Sequence, residues 1–288
     1  MQDFVNQLKD ALIKSSLELD SSVINLIKKA KEREEKELSK NSKASLVVLN
    51  SILENLKLSK KTKIPMCQDT GMFDVFVDIG RDNKNSLATI EKAIIKSCTL
   101  ASEEGNFRKS VVSEPVFDRV NTKTNLPPII TYNIIDGDEL TVRVLLKGFG
   151  SENCCGVKML NPTAAKEGVV EAVLDIVKTA GGKPCPPICV GIGLGGTMER
   201  AAYLSKRALI RDFDKENLDK RYIELEEEIL RKINDTKIGP GGFGGVTTAL
   251  FVNIEQEPTH IAGLPLAVSI NCWADRKAQI TYRGKIDD

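Results

Sequence analysis

The chain predicts a mixed α/β (α+β) protein, helical over about residues 1–60, with mixed sheets, helices and glycine-rich loops over 61–288. Three observations carry that expectation. Apolar residues recur at helical spacing through the first sixty positions, alternating and continuous apolar runs follow, and the two patterns interleave to the C-terminus. The 288 residues, 41% of them hydrophobic, suffice for one large domain or two modest ones, since such a chain buries about 75% of its unfolded surface. Without an internal repeat or clear linker, 1–288 reads as a single domain.

Each element has its own signal. Phe4, Val5, Leu8 and Leu12, then Val23, Leu26, Ile27 and Ala30, mark two helices, with Asp20-Ser21-Ser22 as break and N-cap. The charged run Lys28 to Lys40 reads as the solvated face of a helix. Phe73, Val75, Val77 and Ile79 alternate as in a half-buried strand, and Ser86 to Glu104 reads as a helix. Ile129–Ile135, Asp136-Gly137-Asp138 and Leu140–Val144 read as a β-hairpin. Ala164 to Thr179 is a helix ended by Gly181-Gly182. A short strand, Ile188-Cys189-Val190, precedes a glycine-rich turn and a helix from about Thr197 to Ile210. Asp214 to Asn234 reads as a charged helix, and Val246–Ile254, Leu264–Ile270 and Gln279–Tyr282 as strands.

Composition removes several function classes. With 41 basic and 40 acidic residues and 5% aromatics, nothing supports a nucleic-acid or membrane-surface role. No run approaches the roughly 18 apolar residues of a membrane span. Met1-Gln2-Asp3-Phe4-Val5 lacks a basic region ahead of an apolar core, so a cytoplasmic protein is expected. Seven cysteines without a Cys-x-x-Cys pair argue against a secreted disulfide scaffold and against zinc ribbons.

Three of those cysteines sit in turn-like settings. Cys67 lies in Pro65-Met66-Cys67-Gln68-Asp69-Thr70-Gly71, where thiol, amide and carboxylate stand side by side ahead of a strand. Cys185 lies in Gly182-Lys183-Pro184-Cys185-Pro186-Pro187, and Cys272 in Asn271-Cys272-Trp273-Ala274-Asp275-Arg276. A buried thiol is the plainer account of any one cysteine; three such settings beside polar residues point to ligands. Cys98 and Cys189 fall inside apolar periodic segments, and adjacent Cys154 and Cys155 point apart. Three thiolates without an obvious fourth fit an iron–sulfur cluster with one open iron, whereas four would close it for electron transfer.

Three glycine-rich segments suggest backbone lining of a small polar pocket: Gly148–Asn153, Gly191–Gly196 and Gly239–Gly245. Gly191-Ile192-Gly193-Leu194-Gly195-Gly196 satisfies G-x-G-x-x-G, which makes a dinucleotide-binding dehydrogenase a rival. The second strand and acidic residue that fingerprint requires are missing around Asp212 and Asp214. The glycines then serve close backbone approach and present helix N–H groups to an anion.

Cys67-Gln68-Asp69-Thr70-Gly71, Gly150-Ser151-Glu152-Asn153, Cys185-Pro186-Pro187, Gly191 to Thr197 and Cys272-Trp273-Ala274-Asp275-Arg276 together resemble the iron–sulfur class I fumarate hydratases and related L-tartrate dehydratases. The resemblance runs from about residue 10 to the C-terminus. It implies a [4Fe–4S] cluster on Cys67, Cys185 and Cys272, whose open iron acts as a Lewis acid in adding or removing water. It implies substrate contacts from Gln68 and Asp69, with Asp69 also in proton transfer, from the Gly150 backbone, from Arg108 at a carboxylate, and from His260, the one histidine. A surface salt bridge for Arg108 and a structural role for His260 are the plainer alternatives.

Fused members of that family continue into a second domain with further basic residues and a threonine base, whereas this sequence stops at Asp288. The resemblance therefore implies the α subunit of a hetero-oligomer, its pocket completed by a β subunit around a small dicarboxylate. An iron–sulfur electron carrier or sensor is the non-enzymatic alternative, with Cys154, Cys155 or Cys189 as fourth ligand.

Overall fold

A computed structural model describes residues 1–37, 42–212 and 215–286. Its elements run α1 (Gln2–Leu17), α2 (Ser21–Lys36), α3 (Ser42–Thr62), β1 (Met72–Gly80), α4 (Leu87–Glu104), β2 (Ile129–Ile135), β3 (Leu140–Lys147), α5 (Phe149–Glu152) and β4 (Gly156–Leu160). They continue α6 (Ala165–Ala180), β5 (Ile188–Gly196), α7 (Met198–Ile210), α8 (Lys220–Asp235), β6 (Ala249–Thr259), β7 (Leu264–Asn271) and β8 (Lys277–Tyr282). The mixed α/β class and the helical start are as the sequence predicts. The predicted N-terminus of the charged helix at Asp214 and the end of the charged run at Lys40 lie outside the described residues. α8 itself starts at Lys220, capped by the Asp219 side chain accepting from Arg221 N–H at 2.9 Å.

The chain divides into two compact units, Met1–Asp20 with Asn55–Phe149 and Arg276–Asp288, and Ser21–Glu54 with Gly150–Asp275. In the first, a four-stranded sheet has the order β2-β1-β3-β8. Phe4, Val5, Leu8 and Leu12 of α1 and Ile90, Ile94 and Cys98 of α4 pack with Phe73, Val75, Val77 and Ile79 of β1 in its core. Phe4 meets Tyr282 of β8 edge-on, ring centroids 5.2 Å apart.

Two expectations fail in this sheet. β1 is buried on both faces rather than half-buried: Asp74, Phe76 and Asp78 on one face are enclosed as Phe73, Val75 and Val77 are on the other. Its polar Asp78 is matched by Arg143, with which it forms an ion pair, and by Asn133 Nδ2 at 3.0 Å. The hairpin is also absent: β1 lies between β2 and β3, parallel to the first and antiparallel to the second. The Asp136–Glu139 link passes over the end of β1, where a Cβ on Gly80 would stand 2.2 Å from the Gly137 carbonyl oxygen. A turn signal is local and cannot show that a third strand inserts between the two it joins.

The second unit has a sheet of order β4-β7-β5-β6. Val190, Ile192 and Leu194 of β5 share a core with Val169, Val173 and Val177 of α6 and Leu225, Ile229 and Ile233 of α8. Alternation puts Cys189, Gly191 and Gly193 on the other face of β5, under α7. Here too the sequence misleads. Gly191–Gly196 is strand, not a turn before a helix. A Cβ at Gly193 would lie 2.0 Å from the Ala201 carbonyl oxygen, and one at Gly191 2.2 Å from that of Ser205. These glycines let α7 lie directly on β5, and no phosphate-cradling turn is formed.

The charged run brings a further correction. Glu34 is wholly buried, although Lys28, Lys29, Glu32 and Arg33 around it are exposed. It continues the buried stripe Val23, Ile27, Ala30 of α2.

Candidate active site

Chain direction brings the catalytic candidates of the first unit to one end of its sheet. Cys67–Thr70 enters β1, and Met72 pairs with Lys147 at the end of β3, so the residues after Lys147 lie beside those before Met72. Gly71, at φ +89, fits there because a Cβ would stand 2.7 Å from Lys147 N. Arg276, just ahead of β8, reaches the same end, since Lys277 pairs with Leu145.

Asp69 is the most constrained group there. Its Oδ1 accepts from Gly71 N–H at 3.1 Å and its Oδ2 from Phe149 N–H at 2.8 Å. Its backbone carbonyl accepts from Arg276 Nη1 at 2.8 Å. A Cβ on Gly148 would stand 3.3 Å from Asp69 Oδ2 and 3.5 Å from Arg276 Nη2, so glycine there admits both groups. A carboxylate held by two main-chain donors keeps lone pairs for a further partner while its direction is set. Cys67 is half-buried and Gln68 exposed, next to it.

Arg276 is the residue sequence reasoning missed. It is 1% exposed, the largest fully buried side chain among the described residues. The signal was present: an arginine following Asp275 between two apolar strands cannot be buried without partners.

Arg108 follows α4 with its side chain exposed. Its carbonyl accepts from Thr70 Oγ1 at 3.5 Å and Ser110 Oγ at 3.3 Å, which ties its main chain to the Cys67–Thr70 segment. Gly150 lies in α5, exposed, with nothing within 4 Å of a Cβ added there. The segment expected to be a glycine loop, Gly148–Asn153, thus holds one turn of helix. In the second unit, His260 is exposed in the turn between β6 and β7. Its Nδ1 accepts from Ala262 N–H at 3.2 Å, which puts the proton on Nε2.

None of the seven cysteines forms a disulfide, and burial sorts them. Cys98 and Cys189 are fully buried, and burial pushes the Cys98 thiol up, so both are core residues. Cys189 under α7 is therefore not available as a fourth ligand. Cys67 and Cys272 are half-buried and Cys185 is exposed. Within the second unit, Cys189 pairs with Asn271 across β5 and β7. Cys185, four residues before Cys189, and Cys272, one after Asn271, consequently emerge at the same end of that sheet. Cys185 holds φ +55, a left-handed conformation uncommon outside glycine. Cys155 is engaged locally, accepting from Ile270 N–H at 3.2 Å. Among the described residues, no group of three or more His, Cys, Asp or Glu side chains is placed to hold a metal ion. No described helix is long and apolar enough to cross a membrane.

Residues 5–281 match the family model for fumarate hydratase (Fumerase). The chain is 40% identical over 270 residues to the "Putative L(+)-tartrate dehydratase subunit alpha" of Methanocaldococcus jannaschii, covering 92% of each. It is 29% identical over 269 residues to the L(+)-tartrate dehydratase subunit alpha of Escherichia coli strain K12, and equally to that of Shigella sonnei, covering 92% of this chain and 86% of each relative. The chain belongs to the fumarate hydratase family.

Proposed function

We propose that the chain is the α subunit of a two-subunit hydro-lyase, acting with a β subunit on fumarate and malate or on L-tartrate. The observation that carries this is the single sheet end that gathers Cys67, Gln68, Asp69 and the Arg108 main chain, with Asp69 fixed by Gly71, Phe149 and Arg276. Cys67, Cys185 and Cys272 lie outside the core near strand ends, as do Cys154 and Cys155 ahead of β4, and the first three are proposed to hold a [4Fe–4S] cluster. Their donor chemistry fits: soft thiolates suit iron–sulfur clusters. A four-iron cube takes its thiolates at separate corners, unlike a single ion, so three donors on one centre are not required of it. When bound, a cluster with one open iron supplies Lewis acidity for the loss or addition of water.

The chain's own residues do the rest. Asp69 presents its carboxylate in a direction fixed by two N–H groups, so it orients or carries the proton exchanged beside a substrate carboxylate. Arg108 offers five donors in a planar fork matched to a carboxylate, and Gln68 offers an exposed amide to the same substrate. His260, with its proton on Nε2, donates to substrate, and the Gly150 main chain leaves an open approach. The β subunit contributes further cationic groups.

Anaerobic co-expression with the β subunit, followed by assays on fumarate, malate and L-tartrate, tests this function. Turnover of one of these diacids supports it. An iron-loaded pair that turns over none of them overturns it.

A further inference from the structure

Glu34 stands outside the proposed machinery, yet its connections lead to Cys185. It lies on α2 in the buried stripe with Val23, Ile27 and Ala30, at 0% exposure. Its Oε1 accepts from the main-chain N–H of Val246 at 2.7 Å and of Thr247 at 2.8 Å. Its Oε2 is buried without a hydrogen-bond partner among the described residues, and a Cβ on Gly245 would lie 2.7 Å from it. Ser45 of α3 donates to the neighbouring Gly244 carbonyl.

These contacts hold one end of the loop 239–245, in which Gly239, Gly241, Gly242, Gly244 and Gly245 all have positive φ. Such a segment has little side-chain packing to fix its own path. Its other side rests on the Cys185 segment. Gly241 N–H donates to the Pro186 carbonyl at 2.8 Å, and a Cβ on Gly182 would stand 3.1 Å from Gly242 Cα. Cys185, at φ +55, lies between those two contacts.

We infer that Glu34 is a positioning residue for Cys185, setting the path of the glycine loop that clamps residues 182–186. The importance of Cys185 rests on the ligand role proposed above; the clamp does not, and it can be read without a cluster. Glu34→Ala, Glu34→Gln and Ser45→Ala are compared with wild type as cluster-free full chains, and alkylation of each thiol by iodoacetamide is followed by mass spectrometry. In Glu34→Ala, Cys185 reacts at least about threefold faster while Cys67 and Cys272 keep their rates, as for a local opening. Glu34→Gln, which retains an acceptor for the two N–H groups, restores most of the wild-type rate. Unchanged Cys185 reactivity in Glu34→Ala overturns the inference, as does acceleration of all three thiols together, which marks a purely structural role. Should Glu34→Ala not fold, Ser45→Ala decides: Cys185-selective acceleration supports the clamp, and a wild-type rate overturns it.

Discussion

Arg276 Nη1 donates to the Asp69 carbonyl at 2.8 Å, joining the residue that opens β8 to the acid that precedes β1. The link spans 207 positions of sequence and fixes the main chain of the acid rather than its carboxylate. Arg276→Lys keeps the charge but loses the planar fork. It should lower turnover by about tenfold or more, since a small misplacement costs that much or more, with iron content unchanged. Wild-type turnover in Arg276→Lys would remove the arginine from the site's support.

Asp69→Asn separates proton chemistry from folding. The amide retains one acceptor for the Gly71 or Phe149 N–H and places a donor against the other, at a cost of about 1–3 kcal/mol. Iron content should stay at the wild-type level while turnover falls about 100-fold or more, the scale of a lost acid–base group. Parallel loss of iron and activity would assign Asp69 to structure alone.

Gly193→Ala tests the glycine-rich strand. A Cβ there would stand 2.0 Å from the Ala201 carbonyl oxygen and 2.5 Å from Ser205 N, both backbone atoms of α7. Overpacking of this kind costs about 1–3 kcal/mol or more, measurable as a lower urea midpoint. Neither wild type nor variant should bind a nicotinamide dinucleotide by calorimetry. An undisturbed midpoint would mean that α7 does not press on β5.

At the start of α8, the Arg221 side chain and then its main-chain N–H hold the Asp219 carboxyl at about 2, below its ordinary 3.8. A carboxyl with a depressed folded-state value stabilises fully above the ordinary value, and that contribution is lost as pH falls toward the folded one. Asp219→Ala should therefore melt at lower temperature than wild type at neutral pH. The gap should narrow between about pH 4 and pH 2. A pH-independent gap would attribute the effect to something other than this carboxylate.

How far the sequence could be read followed from the range of each signal. Helices α1, α4, α6 and α7 were legible because apolar periodicity and Gly181 as stop are local, while Ser86, read as the first residue of α4, is its cap. The insertion of β1 between β2 and β3 was not, because β1 is separated from β2 by a whole helix. Gly191 and Gly193 resemble a nucleotide loop until α7 is seen against them. Glu34 looked solvated because its neighbours in sequence are charged, although its neighbours at helical spacing are apolar. Of the site, the Cys67–Gly71 motif was legible as chemistry, while the Arg276 link and the Glu34 anchor depend on contacts between distant positions.

The central claim is that Cys67, Cys185 and Cys272 ligate a cluster with one open iron. The most direct measurement is iron and acid-labile sulfide per chain, with electron paramagnetic resonance after mild oxidation, on the anaerobically co-expressed enzyme and its Cys67→Ser, Cys185→Ser, Cys272→Ser and Cys98→Ser variants. Wild type and Cys98→Ser should carry about four irons and yield a three-iron signal on oxidation, and the other three variants should lose both. Full iron content in Cys67→Ser, Cys185→Ser and Cys272→Ser would contradict the assignment.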